Sequence, residues 1–578
     1  MIGLAWTLPF LQPYHRLPLS WFYSEWLALA LGLTASLLLL RRESWLGASL
    51  PAVALAPVGL AAVVGLHVAL GRVPYPEQAL IVVLYLMWAA LIMLLGAVLR
   101  RELGMTALAA ALAWWLLAGG VLGALAGLMQ HFHAAGVFAS LVLAKMMPAS
   151  YGNIGQANHF AAYSTIALVS ALYLYGRGRL SVAGMAACAL VLLPSLAVTG
   201  SRSVWLYLGS LTLFAFLLWR YRREGDIPRF AAAALCVLPG FLAANWLMRL
   251  SFDVPPSAPL PMVTSAERIF DLAIGVNIRF QLWREAWDLF LGAPLLGAGT
   301  GQFAWHHFLY QASGHAPADP RVFNHAHNLP LHLMAEAGAA GALIVAGALL
   351  AWLVKLRRVR LDLEWCWLLA LLGVLAILSL LEHPLWFAYF LGMAALLLGM
   401  GSEEFLDLRF SRVARVVIAA GAAAGFLNLV AVLSPYREFE HLVFMPESRA
   451  RPQIDAEFAR ALARVYREPL LVPHVEFALA VALEVNTDRL PEKLALVGRA
   501  VHFAPAPYVA YRYALLLALA SEGEAARLQF GRSMRVYPRE LPEIKIQLAE
   551  LVRRYPAEMA PLLDAASGRT AARGTSIQ

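Results

Sequence analysis

The chain has 578 residues, of which 61% are hydrophobic and only 14% are charged, and its formal net charge is +9. Soluble domains carry roughly 25% charged residues, so this composition excludes an ordinary soluble protein and predicts a membrane protein embedded in a lipid bilayer. The positive charge is concentrated in short loops between apolar stretches, which points to membrane topology and not to nucleic-acid binding.

A helix needs about 20 apolar residues to cross a hydrocarbon core of roughly 30 Å. Such stretches recur along most of the chain and predict an all-α, polytopic membrane protein with about 12 to 13 transmembrane helices. The segment before residue 20 is broken by prolines and predicts a partial thirteenth helix or a short interfacial one. The twelve predicted spans are 22–40, 50–70, 78–99, 105–129, 158–175, 180–199, 203–219, 229–248, 330–354, 364–381, 384–400 and 413–433.

Basic residues alternate between the loops, as in "RYRREGDIPR" at 220–229 and "KLRRVR" at 355–360. Because short loops rich in Lys and Arg stay in the cytoplasm, these loops are predicted to lie inside. The long loop 249–329 and everything after residue 433 are then predicted to lie outside.

The composition changes after residue 433, where charges become frequent and Pro and Gly interrupt helical apolar spacing. This pattern predicts a helical-hairpin domain, similar to tetratricopeptide (TPR) repeats, over residues 434–566. Residues 1–433 then form the membrane domain, and the polar tail 567–578 is predicted to be disordered.

The segment "NHAHNLPLHLMAEAG", 324–338, places His327 just before the outer end of a predicted span. Asn328 is a suitable N-cap, and Pro330 is tolerated in the first turn. The positive end of a helix favours a neutral imidazole, which can act as a base. Two other interpretations stay open: His325 and His327 cap a helix near lipid headgroups, or they bind a metal, although no carboxylate or thiolate stands at a ligand spacing.

Two arginines outside the basic loops call for an anionic partner. Arg202 lies at the outer start of a span, where its charge opposes the helix dipole, and a lipid phosphate is one candidate. Arg279 leaves the apolar side of its predicted helix, whereas Arg284 lies on a polar side with Asp288 available for an i,i+4 ion pair.

Two further polar patches lie at the outer ends of spans: Gln156, Asn158 and His159 in "GNIGQANHFA", and Glu382, His383, Trp386 and Tyr389 in "EHPLWFAYF". Polar groups in or near a membrane are costly unless they are used. Each could also be a helix cap or part of an aromatic belt.

Several of these residues fit a known pattern. Ten residues separate His327 from Gly338, and an arginine and a leucine stand at Arg202 and Leu206. In this respect the chain resembles the O-antigen ligase superfamily. With "PYHRLPLSWFYSEWLA" near the start and a helical C-terminal part, it is most similar to the bacterial protein O-oligosaccharyltransferases, which glycosylate pilins and other exported proteins. The chain departs from that pattern at its short start, which shortens or removes a first membrane helix.

The resemblance implies a GT-C-like enzyme of the bacterial inner membrane with its active site and C-terminal domain in the periplasm. It would transfer a preassembled glycan from undecaprenyl diphosphate to a Ser or Thr hydroxyl, with no cofactor or metal and with inversion. His327 is then expected to be the general base, and Arg202 and Arg279 are expected to bind the diphosphate, because arginine matches phosphate with a fork of donors.

The resemblance also suggests supporting residues. Gln156 matches a functional glutamine of the family, and Tyr389 is a counterpart of a later aromatic residue. Asn158 and His159 share the Gln156 patch, and His325, Asn328 and Glu382 are expected to orient His327 or the acceptor. Gly338 lies among small residues that would let two helices approach closely.

Two alternatives remain open at the level of sequence. The first is an O-antigen ligase with lipid A core as acceptor, or a related polymerase with a glycan acceptor. The second is a transporter or flippase, although such proteins usually carry polar residues near the midplane of the membrane, whereas here they lie at the outer ends of spans.

Overall fold

The computed structural model describes residues 1–40, 49–222, 224–250, 265, 275–314, 322–406, 412–443 and 456–568. Within these ranges the fold is helical, and its one pair of strands is antiparallel and two residues long, Leu50–Pro51 with Phe405–Leu406. The prediction of an all-α protein is confirmed. From residue 569 onward, the tail predicted to be disordered lies outside the described residues.

The first part of the chain is built from helices of very different lengths. Two of them, α12 and α13, belong to the long loop between the predicted spans. In chain order they are α1 (Ile2–Ala5), α2 (Leu8–Leu11), α3 (Phe22–Leu40), α4 (Leu55–Ala69), α5 (Pro76–Leu103), α6 (Met105–His131), α7 (Ala157–Gly176), α8 (Val182–Ala197), α9 (Ser203–Tyr221), α10 (Ile227–Leu235), α11 (Val237–Leu250), α12 (Gly275–Gly292), α13 (Phe303–Ala312), α14 (Leu329–Lys355), α15 (Leu363–Leu381), α16 (Ala388–Met400) and α17 (Arg412–Val443).

Eight helices in the described residues are long and apolar enough to cross a membrane. They correspond to eight of the predicted spans and establish a multi-pass membrane protein. The other four predicted spans are helical as well: α3, α8 and α16 are apolar but shorter, and α7 is a 20-residue helix that is buried along most of its length. The N-terminal segment forms two single turns, α1 and α2, whose side chains Trp6 and Phe10 are buried in the bundle.

Helix α7 lies at the centre of the membrane bundle and packs against α6, α8, α9, α10 and α15. Gly120 of α6 allows the closest approach, since a Cβ atom there would lie 2.1 Å from the Cβ of Ala167. Small residues at such crossings let helix backbones come together in lipid. Because α7 is fixed on all sides, the polar residues at its N-terminus are held in a defined position.

Helix α14 is broken at Gly338, which has φ 63° and ψ −163°. At this break the loop after α12 docks by backbone hydrogen bonds, with Ala298 N donating to Ala335 O (2.9 Å) and Ala339 N donating to Pro294 O (2.8 Å). A Cβ on Gly338 would lie 2.5 Å from the backbone of Leu295. The close neighbour of Gly338 is therefore a loop, whereas the sequence predicted another helix.

The rest of the described chain forms seven helices, most of which pack against the next helix in the chain. Their core contains Tyr511, Phe530 and Leu548, together with Phe308 and Ala312 of α13. Helix α13 is thus shared between the two parts of the protein. The seven helices are α18 (Ala456–Tyr466), α19 (Val472–Ala482), α20 (Leu490–Phe503), α21 (Pro507–Leu519), α22 (Gly523–Val536), α23 (Leu541–Arg554) and α24 (Pro556–Ala566).

Candidate active site

The carboxylate of Glu382 is the centre of a polar network assembled from four segments of the chain. Glu382 directly follows α15, and its side chain is only 4% exposed. Oε2 accepts a hydrogen bond from His327 Nδ1 (3.0 Å), and Oε1 accepts from Arg279 Nη2 (2.9 Å) and Asn158 Nδ2 (2.6 Å). One buried carboxylate therefore holds the histidine and one of the two arginines singled out from the sequence.

The surroundings of Glu382 stabilise its ionised form. Burial alone raises the pKa of a carboxyl group, but the hydrogen bond from His327 and the positive charge of Arg279 outweigh burial and lower the pKa of Glu382 to about 2. Glu382 is therefore a carboxylate throughout the physiological pH range. An ionised carboxylate only accepts hydrogen bonds, so Nδ1 of His327 carries the proton.

His327 is held in an uncommon backbone conformation just before α14. Its φ is +50°, in the left-handed region that non-glycine residues rarely adopt, and such strain is frequent at functional sites. The next residue, Asn328, caps α14 by accepting from Leu331 N (3.1 Å). With Nδ1 engaged, a neutral His327 ring has its lone pair on Nε2, and its side chain is 17% exposed.

Arg202 joins the site through its neighbour in the chain. Ser201 Oγ donates to Asn158 Oδ1 (2.7 Å), and Asn158 in turn donates to Glu382. Arg202 follows directly as the half-buried N-cap residue of α9. Arg202 therefore directly follows Ser201, which belongs to the network that also contains Arg279 and His327.

The rings of His325 and His383 lie close to His327 and are tilted against one another. The ring centroid of His325 lies 4.1 Å from that of His327 and 3.5 Å from that of His383. Burial, followed by the charges of neighbouring histidines, holds the pKa of His325 far below its usual range, and burial lowers that of His383 to about 3. Both rings are neutral, and His325 Nδ1 is hydrogen-bonded to Asn324 Oδ1 (2.6 Å).

Three predicted site residues have other surroundings. Gln156 caps α7 by accepting from His159 N (2.6 Å), and the buried His159 ring packs against Phe387 and Phe390. Tyr389 points into the apolar core and contacts Phe10, and its buried hydroxyl has no hydrogen-bond partner within the part of the chain that the structure describes. The structure does not bring Gln156 or Tyr389 to Glu382, because both belong to the packing of the helices that begin there.

Glu336 is a site-building residue that the sequence reasoning missed. Its buried carboxylate lies inside α14 and accepts from Gly301 N (2.8 Å) and Phe303 N (3.0 Å), and so fixes the start of α13. A glutamate within an apolar span is costly unless it is used, and this signal could have identified it. Ser201 was also missed as a site residue. Trp386, which the sequence placed in the second polar patch, is partly exposed, with its ring centroid 4.8 Å from that of His332.

A second buried pair connects α13 to the helix that carries Arg279. His307 Nδ1 lies 2.7 Å from Glu285 Oε2, and both side chains are almost fully buried. Glu285 is on α12, six residues after Arg279, and α13 also contributes Phe308 to the C-terminal core. The position of Arg279 is therefore linked through α13 to the C-terminal helices.

Comparisons with known proteins cover all four segments of the network. A family model described as "Protein glycosylation ligase" matches residues 151–175, one described as "O-Antigen ligase" matches 187–346, and one described as "Virulence factor membrane-bound polymerase, C-terminal" matches 366–550. Asn158 falls in the first range, Arg279 and His327 in the second, and Glu382 in the third.

A curated relative matches over most of the chain. It is a general O-oligosaccharyltransferase from Acinetobacter baylyi, 25% identical over 449 residues, which cover 76% of this chain and 75% of the relative. These matches confirm the resemblance of the chain to the O-antigen ligase superfamily and to its O-oligosaccharyltransferases. The name of the relative and the match to a protein glycosylation ligase both point to a glycosyltransferase-type enzyme.

Proposed function

We propose that this enzyme transfers a preassembled glycan from undecaprenyl diphosphate to Ser or Thr hydroxyls of exported proteins such as pilins. The observation that carries the proposal is the Glu382 network, in which one carboxylate holds both an imidazole and a guanidinium. A base and a phosphate-binding cation side by side are what a transfer from a diphosphate donor requires.

In the proposed reaction His327 is the general base. Its Nε2 removes the proton of the acceptor hydroxyl while the oxygen attacks the anomeric carbon of the glycan. The bond between that carbon and the diphosphate oxygen breaks, and the diphosphate leaves with the electron pair. Attack opposite to the leaving group inverts the anomeric centre. Glu382 stabilises the imidazolium that forms, as the carboxylate does in a Ser-His-Asp triad.

Arg279 and Arg202 are proposed to bind the diphosphate. The bond from Arg279 to Glu382 uses one Nη2 hydrogen, whereas a guanidinium carries five N–H donors. The Arg279 side chain is 30% exposed, so further donors are available to phosphate oxygens. Arg202, at the start of α9, would add a second cation where charge develops on the leaving group.

The protein acceptor is proposed from the C-terminal helices and the relative. The Acinetobacter baylyi relative is named a general O-oligosaccharyltransferase and aligns with three quarters of this chain. Together with the basic loops of the sequence, this supports an inner-membrane enzyme whose site and C-terminal helices face the periplasm. The helices from α18 onward would then lie beside the site, where a protein substrate could dock.

The test uses purified enzyme, undecaprenyl-diphosphate-linked glycan and two acceptors offered separately, a pilin and lipid A core. A gain in mass of the pilin alone is expected. A gain in mass of lipid A core alone would make the enzyme an O-antigen ligase instead. His327→Asn is the informative variant, because Asn tolerates a positive φ but cannot serve as a base; it should bind the donor and form no product.

A further inference from the structure

Three ligand atoms suitable for a metal converge at the site, one each from His325, His327 and Glu382, all within 4.8 Å of one another. Histidines 325 and 327 alone offer too few ligands for a metal site. The fold adds a carboxylate from the end of α15, 55 residues further along the chain. Two imidazoles and one carboxylate form a donor set that zinc uses in proteins.

His325 supplies the independent observation that a ligand is accommodated there. Its side chain is buried, with only 7% of the residue exposed, and Nε2 has no hydrogen-bond partner among the residues that the structure describes. A buried polar atom without a partner is unfavourable. A metal ion bound to Nε2 would satisfy it.

We propose that His325, His327 and Glu382 bind a divalent transition-metal ion of the zinc type, and that this ion reversibly inhibits the enzyme. The inhibitory part rests on the proposed role of His327 as a base. His327 Nδ1 and Glu382 Oε2 are 3.0 Å apart, and an ion at about 2.0–2.2 Å from each can bridge them. His325 and one solvent oxygen would complete a four-coordinate site.

Inhibition follows from the tautomer of His327. In the metal-free site the ring proton is on Nδ1, and Nε2 is free to accept the acceptor's proton. When an ion takes the lone pair of Nδ1, the single ring proton resides on Nε2, and the ring can no longer act as a base. The ion adds no redox step and consumes no co-reactant.

Arg279 explains why the ion is expected to bind weakly and to inhibit reversibly. Its guanidinium is hydrogen-bonded to Oε1 of the same carboxylate, and this positive charge opposes a second cation nearby. The affinity should therefore be lower than in a site with the same three ligands and no arginine. Removing the positive charge, as in Arg279→Gln, should tighten zinc binding.

The test measures binding of Zn²⁺ alone to metal-free full-length enzyme in detergent, by isothermal titration and by the visible spectrum of Co²⁺. One ion per chain is expected, with the spectrum of a low-coordinate site. His325→Ala should weaken binding on the order of tenfold or more, and His325→Gln guards against misfolding of the alanine variant. The matched control is His133→Asn, which removes an exposed histidine with positive φ outside the cluster.

The outcomes are distinct. The proposal is supported if Zn²⁺ binding falls in His325→Ala and His325→Gln and is unchanged in His133→Asn. Zn²⁺ should also inhibit glycan transfer, and EDTA should restore the activity. Binding that is equal in all variants, or that is lost only in His133→Asn, shows surface binding and overturns it. Binding of Zn²⁺ is measured without donor or acceptor and is therefore independent of glycan transfer. If the protein binds one ion per chain but transfers no glycan, the proposed function is refuted and the metal site stands.

Discussion

The replacement of Glu382 by glutamine is the sharpest test of the network. Glutamine has nearly the same shape, but the change removes the negative charge and replaces one accepting oxygen by an NH2 group that faces another donor. His327 then loses the charge that favours its protonated form, and Arg279 loses its counter-ion. We expect donor binding to be altered modestly and turnover to fall strongly, because in the proposed reaction the imidazolium of His327 forms only when the acceptor loses its proton.

Two free energies describe the effect of the replacement. A hydrogen bond to a charged group contributes about 1.5–3 kcal/mol, which corresponds to a loss of about 10- to 100-fold in turnover. Lowering the pKa of Glu382 from 4.5 to about 2 corresponds to about 3 kcal/mol in favour of the carboxylate. The first figure sets the expected loss in turnover, about 10- to 100-fold, and the second measures how strongly the resting site favours the ionised form of Glu382.

The same pKa predicts a pH dependence of stability. Because the pKa of Glu382 in the folded protein lies below its ordinary value, its contribution is present above about pH 4.5 and is lost as the pH falls toward 2. The difference in unfolding free energy between wild type and Glu382→Gln should therefore be largest near pH 7 and shrink under acid. Thermal unfolding in detergent between pH 7 and pH 3 measures it.

Glu364→Gln is the matched control. Glu364 lies at the opposite end of α15, is equally buried, and pairs with Arg177 at 2.5 Å. A 19-residue helix at about 1.5 Å per residue separates the two by nearly 30 Å. Glu364→Gln should lower stability and retain turnover. Normal turnover in Glu382→Gln, or an equal loss in both variants, would refute the reasoning.

Further changes test the supporting structure. Gly338→Ala should lower the melting temperature markedly, because its Cβ would meet the backbone of Leu295 at 2.5 Å and its φ is positive. Tyr389→Phe removes a buried hydroxyl without a partner in the described residues, so turnover should stay within about twofold of wild type; a tenfold loss would place Tyr389 in the site. Glu476→Gln should loosen the C-terminal helices, since this carboxylate accepts from Tyr75 of the membrane part at 2.7 Å, and limited proteolysis would detect a new cleavage.

The sequence predicted the membrane helices well because hydrophobic length is a local property. Each of the twelve predicted spans contains a helix in the structure, including the short α16. The break at Gly338 was not predicted, since a single glycine in an apolar run is compatible with a continuous helix. Only the docking of the loop around Leu295 shows why the helix is interrupted.

The sequence could nominate the site residues but not their partners. His327, Asn158 and Glu382 were identified from polarity at the outer end of an apolar stretch, and Arg279 from its place on the apolar side of a predicted helix. The structure brings these four together. That Glu382 is their common acceptor depends on tertiary packing. Tyr389 could not be assigned in this way, because in an aromatic-rich stretch the sequence does not tell which ring faces the core.

The position of Glu382 between a base and a cation has a consequence for the proposed reaction. In the resting site the carboxylate is shared between Arg279 and His327. When His327 takes the acceptor's proton, the new imidazolium attracts Glu382 more strongly, and Arg279 is freer to turn its donors to the diphosphate. In the proposed reaction, negative charge develops on the diphosphate at the same time as Arg279 becomes available to bind it. One carboxylate would thus couple deprotonation of the acceptor to departure of the diphosphate, which neither residue could do if each had its own counter-ion.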